Sequence, residues 1–174
     1  MQSLSFEIHQ AMAKDAADVG VIYNQGIDER TATFNTEHVT EKGMLEKIKK
    51  GEDGKHPVYV ATLKDTGEVV GWVSITEYSS RACYSGIGEV SLYIKKDYRG
   101  RGVGKALLTF LIEAAKQKGY WKLMGRIFLT NQASRRLCRD LGFKEIGIHE
   151  KHAKLDGKWL DVVEVERPIP ENIV

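Results

Sequence analysis

Apolar residues recur along the chain with two different periods, and these periods mark out strands and helices. Alternation at residues 6–9 and 89–94, and apolar runs at 57–63 and 69–75 around a turn at 65–67, predict strands, the two runs forming a hairpin. Apolar positions three and four apart follow Asp15 and Thr40, which we expect to cap two helices. The second of these helices should stop at Gly51.

The second half of the chain continues the pattern. A strongly apolar helix is predicted over 103–118, ending at Gly119, and a shorter helix over 132–141, closed by Gly142. Strands are expected at 123–128, 144–148 and 160–166, and a polar loop at 31–36 carries Phe34 as an exposed aromatic. The order β-α-α-β-β-β-α-β-α-β-β indicates an α/β (α+β) fold, in which helices flank a mixed, mostly antiparallel central sheet.

Composition excludes several classes of protein. The 174 residues are 42% hydrophobic and 29% charged, which argues against disorder, and without repeats or linkers they predict one domain over 1–174. Lys and Arg number 26 against 24 Asp and Glu, so neither nucleic acid nor a membrane is expected as a main partner. Two cysteines, Cys83 and Cys138, without metal-ligand spacing predict no disulfide framework, no metal and a reducing, cytoplasmic location.

A turn rich in glycine and basic residues lies between a predicted strand and the apolar helix, at residues 99–105. Gly100 and Gly102 let the backbone turn sharply with its N–H groups inward, and the helix start adds further N–H groups, which together suit an anion. Nucleotide-binding loops of the GxxxxGK[ST] and GxGxxG types do not fit, because Ala106 follows Lys105 and neither GxGxxG register has its third glycine. The alternative is a tight turn whose basic residues are merely solvated.

This loop resembles the pyrophosphate loop of the GNAT superfamily of acetyl-CoA-dependent N-acetyltransferases. The pattern Arg-x-x-Gly-x-Gly at 99–104 matches the family's Arg/Gln-x-x-Gly-x-Gly/Ala. The pattern Asn-x-x-Ser-x-x-x-Cys-x-x-x-Gly-Phe at 131–143 is similar to the segment that follows the family's fifth strand. The resemblance covers essentially the whole chain and implies the GNAT fold, acetyl-CoA as cosubstrate and a homodimer.

Within the superfamily the chain looks most like the phosphinothricin and methionine sulfoximine acetyltransferase group. Four stretches carry this likeness: Phe-Asn-Thr-Glu at 34–37, Arg-x-x-Tyr at 81–84 before Glu89, Glu-Val-Ser-Leu-Tyr-Ile at 89–94, and Gly-x-Trp-x-Asp-Val at 157–162. The resemblance implies acetyl transfer, by direct attack, to the amine of a small amino-acid-like acceptor. Acetylation of a protein N-terminus or lysine, and a catalytically silent CoA-binding protein, stay open as alternatives.

The resemblance also implies which residues bind acetyl-CoA. The backbone at Leu92, Tyr93 and Ile94 would bind the acetyl-pantetheine arm, as an added strand pairs with a sheet edge. Asn131 would bond the same arm or cap the helix it precedes, and Ser134 would be a small residue facing the cofactor. The pyrophosphate would be held by the loop residues, which are Arg99, Gly100, Arg101, Gly102, Val103, Gly104 and Lys105.

Two residues are implied to carry the chemistry. Glu89 would be the general base, acting through water on the acceptor ammonium, because an amine must lose a proton before it attacks a thioester. The alternative is an exposed edge glutamate. Cys138 stands where the family carries Tyr or His as the acid for the leaving thiolate. A thiol could serve there, but a cysteine beside Leu137 and Leu141 is more often a small buried apolar residue.

The acceptor side has three candidates. Arg81 could hold a carboxylate bidentately while the acceptor amine faces Glu89, and Phe34 and Tyr84 would wall the side-chain pocket. The alternative for Arg81 is a solvated loop charge.

Overall fold

The computed structural model describes residues 4–174, which form seven strands and four longer helices in the predicted order. The strands are β1 Phe6–Gln10, β2 Val58–Leu63, β3 Val69–Glu77, β4 Ile87–Ile94, β5 Lys122–Phe128, β6 Lys144–Leu155 and β7 Lys158–Pro168. The helices are α1 Ala16–Glu29, α2 Glu41–Gly51, α3 Val103–Gln117 and α4 Gln132–Asp140, with short 3₁₀ turns between some elements.

The strands form one sheet in the order β1-β2-β3-β4-β5-β7-β6. Every neighbouring pair is antiparallel except β4 and β5, which run parallel and are connected through α3. A parallel pair requires such a crossover, because its second strand must start at the same end of the sheet. The predicted mixed, mostly antiparallel sheet is therefore confirmed.

Helices cover both faces of the sheet. On the α1 face, α1 and α2 pack Ile22 and Ile48 against Trp72. On the opposite α3 face, α3 places Leu107 and Leu111 in a larger apolar cluster. These side chains are at most 2% exposed, and each contributes about 1.5–3 kcal/mol of hydrophobic stabilisation relative to exposure. The sheet is thereby held rigidly between two layers, which fixes the strand ends that form the site.

Several local predictions differ from the structure. Thr40 caps α2 as expected, accepting from the Gly43 N–H at 3.1 Å, but Asp15 makes no side-chain cap to α1. A 3₁₀ turn runs into that helix, so the Asp15 carboxylate accepts from the Met12 N–H at 2.8 Å instead. Phe34 is half-buried rather than exposed, because its ring packs edge-on against Phe128 at 4.7 Å.

The last two strands are longer than predicted. β6 and β7 form a hairpin over 144–168 with register shifts near 146 and 150–152. The polar bulge interrupts the alternation of β6, so the pattern of apolar residues does not predict a strand beyond residue 148.

Candidate active site

The two parallel strands diverge and open a fork in the sheet. β4 pairs with β5 only at residues 87–89 against 122–124, although β4 continues to Ile94 and β5 to Phe128. Beyond Glu89 the side of β4 that faces β5 therefore has no strand partner. A cleft of about 460 Å³ occupies the fork. Unpaired backbone groups lining a cleft are ready donors and acceptors for an extended ligand.

Side chains of β4 alternate between the two faces of the cleft. Val90, Leu92 and Ile94 pack into the core on the α3 face, and Tyr93 packs with the core on the α1 face. Because alternate residues of a strand share a face, Glu89 lies on the same side as Tyr93. The fork thus separates an α3 side, bounded by helix ends and loops, from an α1 side that carries the carboxylate.

The loop before α3 forms an N–H cradle. Gly100 and Gly102 have φ of +72° and +85°, a conformation that favours glycine. The first α-helical hydrogen bond is Ala106 N–H to Gly102 C=O, so the N–H groups at Val103, Gly104 and Lys105 have no partner within the helix. Within 4–174, no hydrogen bond from the backbone N–H groups of residues 100–105 is observed.

The three basic side chains of the loop are not equivalent. Arg99 is engaged by the protein, donating to the Ile94 C=O at 3.1 Å and to the Glu29 carboxylate at 2.7 Å. Its guanidinium therefore braces the loop against β4 and α1. Arg101 lies over the Tyr98 ring at 5.5 Å, and Lys105 is exposed. Positive charge at the cradle thus comes from Arg101, Lys105 and the helix end more than from Arg99.

Helix α4 supplies the remaining wall on the α3 side. Asn131, Ser134 and Cys138 all line the cleft. The Asn131 side chain accepts from the Ser134 N–H at 3.1 Å, so it is an N-cap. Its amide also donates to the Thr31 C=O at 3.4 Å, which connects α4 to the loop at 31–40.

Cys138 has the environment of a packing residue. It packs against the apolar core of the α3 face, and burial raises the pKa of its thiol from 9.0 to about 11. An ordinary thiol has a pKa of about 8.5. Transfer of a proton from Cys138 to the thiolate of such a thiol would therefore be unfavourable by roughly 3 kcal/mol. The environment therefore favours the small apolar interpretation of Cys138 over the acid.

Glu89 stands where the fork begins. Its side chain is 28% exposed and contacts Arg126 of β5, with Nη1 and Oε1 3.2 Å apart. The Thr76 hydroxyl donates to the Glu89 backbone carbonyl at 3.4 Å. Both neighbouring strands thus fix this residue, and its carboxylate lines the cleft.

The loop at residues 31–40 walls the α1 side. Phe34, Asn35 and Tyr23 line the cleft together. The Asn35 amide donates to the Tyr23 hydroxyl at 2.6 Å, and that hydroxyl lies 3.2 Å from the Thr33 hydroxyl. These bonds hold the loop against α1, so the wall is preformed.

Two of the predicted acceptor residues lie elsewhere. Arg81 and Tyr84 are exposed on a 3₁₀ turn before β4, and neither lines the cleft. The Arg81 guanidinium lies over the Tyr84 ring at 5.6 Å. Of the three acceptor candidates, the structure brings only Phe34 into the cleft.

The sequence analysis did not assign Arg126, Tyr23 or His152 to the site, although all three line the cleft. Asn35, which also lines the cleft, belongs to the stretch at 34–37 that carried part of the family likeness. The β6 irregularity between His149 and Ala153 lies beside His152, and Lys151 within it has φ of +47°. Bulges next to clefts commonly re-aim a side chain. The strand register that places Arg126 beside Glu89 arises only from tertiary pairing, so no local pattern identifies Arg126 as a site residue.

Two features of residues 4–174 bear on other functions. None of the helices there is both long and apolar enough to cross a membrane. No three His, Cys, Asp or Glu side chains of that range group as a metal site.

Comparisons with known proteins identify the family. The profile of the acetyltransferase (GNAT) family matches residues 22–143. YwnH of Bacillus subtilis, provisionally named a phosphinothricin acetyltransferase, is 36% identical over 86% of this chain and 90% of its own length. An L-methionine sulfoximine/L-methionine sulfone acetyltransferase of Pseudomonas aeruginosa is 31% identical over 91% of this chain and 92% of its own.

Solved structures show the same fold. A GNAT superfamily phosphinothricin acetyltransferase from Sinorhizobium meliloti, in complex with acetyl-CoA, superimposes with a TM-score of 0.89. It is 27% identical, and the match covers 95% of this chain and 89% of that one. The profile match spans more than half of the chain, and the predicted family is confirmed. This chain belongs to the acetyltransferase (GNAT) family.

Proposed function

We propose that this acetyltransferase moves the acetyl group of acetyl-CoA to the amine of a small amino-acid-like acceptor, of the phosphinothricin or methionine sulfoximine and sulfone type. The observation that carries the proposal is the fork between β4 and β5, with the Glu89 carboxylate at its vertex and open β4 backbone beyond it. The names and similarity of the two bacterial relatives support this acceptor class.

Acetyl-CoA supplies an activated acetyl thioester, and the residues on the α3 side suit its two ends. The N–H groups of residues 100–105, with Arg101 and Lys105, would bind the pyrophosphate. The open backbone at residues 92–94 would bond the pantetheine arm, with Asn131 and Ser134 beside it. Arg99 would act indirectly, by holding the loop in place.

The chemistry follows from the position of Glu89. The carboxylate would take a proton from the acceptor ammonium, directly or through one water. The freed amine nitrogen then attacks the thioester carbonyl carbon, so that a C–N bond forms, the C–S bond breaks, and the nitrogen loses its second proton to solvent. A β4 backbone N–H facing the cleft would stabilise the negative charge that develops on the carbonyl oxygen. The leaving thiolate takes its proton from solvent, since the environment of Cys138 disfavours it as an acid.

The acceptor would bind on the α1 side of the fork. Phe34, packed on Phe128, and the bonded pair of Tyr23 and Asn35 give that side an apolar wall and a polar one. Arg81 and Tyr84 are left out of the proposed site because they lie outside the cleft.

A thiol-release assay across acceptor classes tests the proposal. Purified protein with acetyl-CoA is offered free amino acids, glutamate analogues, methionine sulfone, polyamines and short peptides. We expect CoA release with the amino-acid-like acceptors. Release with peptides alone would favour a protein acetyltransferase, and acetyl-CoA binding without release would favour a silent CoA-binding protein.

A further inference from the structure

We propose that Arg126 is the carboxylate-binding residue of the acceptor site, and that the acceptor is therefore a free, zwitterionic α-amino acid. This inference rests on the proposed function and refines it, because it states which feature of the acceptor is recognised and by which residue.

Arg126 belongs to one strand of the fork, and its side chain contacts the other strand. It belongs to β5, two residues beyond the last β5 residue that pairs with β4. From there its side chain reaches Glu89 on the α1 face, where the acceptor would bind. Among the described residues that line the cleft, Arg126 is the only Arg or Lys.

The guanidinium of Arg126 makes only one contact with a charged group of the described residues. Its contact with Glu89 at 3.2 Å is the longest ion pair within residues 4–174 and involves one nitrogen. By contrast, Arg135 holds Glu145 through two nitrogens at 2.8 and 3.1 Å and also donates to a backbone carbonyl. Because a guanidinium carries five N–H donors, Arg126 keeps several for a ligand.

An α-amino acid is the complement of this pair. Its ammonium and carboxylate sit on one carbon, so the ammonium can face Glu89 while the carboxylate faces Arg126. Each of the two residues then gains a charge-assisted bond to the substrate, since the single contact between them leaves donors and acceptors free. A peptide N-terminus or a lysine side chain has no carboxylate beside its amine and would leave Arg126 without that bond.

The other arginine considered for this role is less suitable. Arg81 lies outside the cleft and its guanidinium faces the Tyr84 ring.

The test compares an acceptor that has the carboxylate with one that lacks its charge. We would measure kcat/KM for methionine sulfone and for its carboxamide with wild type, Arg126→Gln and Arg81→Gln. Wild type should prefer the acid by about 10- to 100-fold, the range of a charge-assisted bond. Arg126→Gln should reduce the preference below about threefold, whereas Arg81→Gln should keep it.

The ratio isolates carboxylate binding from other effects of the substitution. Arg126→Gln also removes the partner of Glu89. The carboxamide has the less basic amine, but this difference is the same for every variant, so the change in the ratio between variants reports carboxylate binding. Lys122→Gln removes a positive charge from the same strand outside the cleft and should leave the ratio unchanged. Arg126→Lys should restore part of the preference.

The outcomes separate the inference from the function on which it rests. If amino acids are acetylated and Arg126→Gln keeps the wild-type preference, the role of Arg126 is overturned and the proposed function stands. If wild type acetylates neither methionine sulfone nor any other free amino acid, both are overturned. If circular dichroism shows that Arg126→Gln is unfolded, the ratio is measured with Arg126→Lys instead. A preference below that of wild type then supports the role of Arg126, and an unchanged preference overturns it.

Discussion

At the scale of single residues, the account depends on one carboxylate whose position is determined by its neighbours. Glu89 is contacted through its side chain by Arg126 and through its backbone carbonyl by Thr76. Both contacts come from adjacent strands, so the carboxylate is held at the vertex of the fork. A group held in this way can act as a base without first being ordered.

Replacing Glu89 with Gln should therefore remove the base and keep the shape. We expect kcat to fall by about 10²- to 10⁴-fold, the range of general-base catalysis, with the Kd for acetyl-CoA unchanged within about threefold. Steady-state kinetics and calorimetry measure the two quantities. Glu77→Gln, an exposed position on β3, is the matched control. Full turnover by Glu89→Gln would remove Glu89 from the mechanism.

Replacing Cys138 should leave turnover unchanged but alter how the stability of the protein depends on pH. We expect Cys138→Ala to keep kcat within about threefold, because a thiol of such high pKa is a poor acid. The folded thiol has its pKa raised from 9.0 to about 11, so the unfolded chain loses this proton first. The protonated thiol therefore contributes fully to the free energy of unfolding below pH 9, and this contribution is lost as the pH rises from 9 to 11.

Melting curves of wild type and Cys138→Ala from pH 7 to pH 11 would show this effect. Wild type should lose stability relative to the variant above about pH 9, by up to about 2 kcal/mol. A drop in kcat of a hundredfold or more in Cys138→Ala, without unfolding, would instead make Cys138 the acid.

At the scale of elements, the site consists of a strand fork and a helix start. The period of apolar residues predicted α3 and β4, and glycines with basic residues predicted the loop between them, since those signals are local. The point where β4 leaves β5 has no local signal, because it depends on how far the two strands pair. For the same reason the loop motif at 99–104 was found from sequence, whereas the engagement of Arg99 by Glu29 was not.

The cradle can be tested with two glycines of one helix. Gly102 at the start of α3 and Gly119 after its end have φ of +85° and +82°, and an added Cβ at either meets nothing within 4 Å. Alanine at either position therefore carries a similar strain of about 1–2 kcal/mol. Gly102→Ala should weaken acetyl-CoA binding at least about tenfold by crowding the anion, and Gly119→Ala should not. Equal affinities in calorimetry would contradict the loop assignment.

At the scale of the whole molecule, one rigid sheet carries both halves of the site. The α3 side presents the cradle and the α1 side presents Glu89, so the two proposed substrates approach from opposite faces. The fold class and family were predictable because many weak local signals agreed with one topology. The acceptor wall was predictable only at Phe34, since Arg126 and His152 come from distant strands. The single domain, the homodimer, the absence of a metal and the cytoplasmic location stay predictions.

Ligand binding should stabilise the whole sheet. At 100 times its Kd, acetyl-CoA should add about 2.7 kcal/mol, which corresponds to a rise in Tm of roughly 5–10 °C for a chain of this size. Acetyl-pantetheine, which lacks the pyrophosphate, should give a much smaller shift at equal concentration. Equal shifts would mean that the cradle contributes little to binding.

The central claim is that the fork serves acetyl transfer to a free amino-acid-like amine. One competition experiment tests it most directly: wild type and acetyl-CoA are given a single mixture of amino acids, methionine sulfone, polyamines and peptides, and mass spectrometry follows which amines gain acetyl. The account predicts that amino-acid-like acceptors are consumed first, and that Glu89→Gln consumes them at least about 100-fold more slowly. Preferential acetylation of the peptides, or no acetylation of any amine, would contradict it.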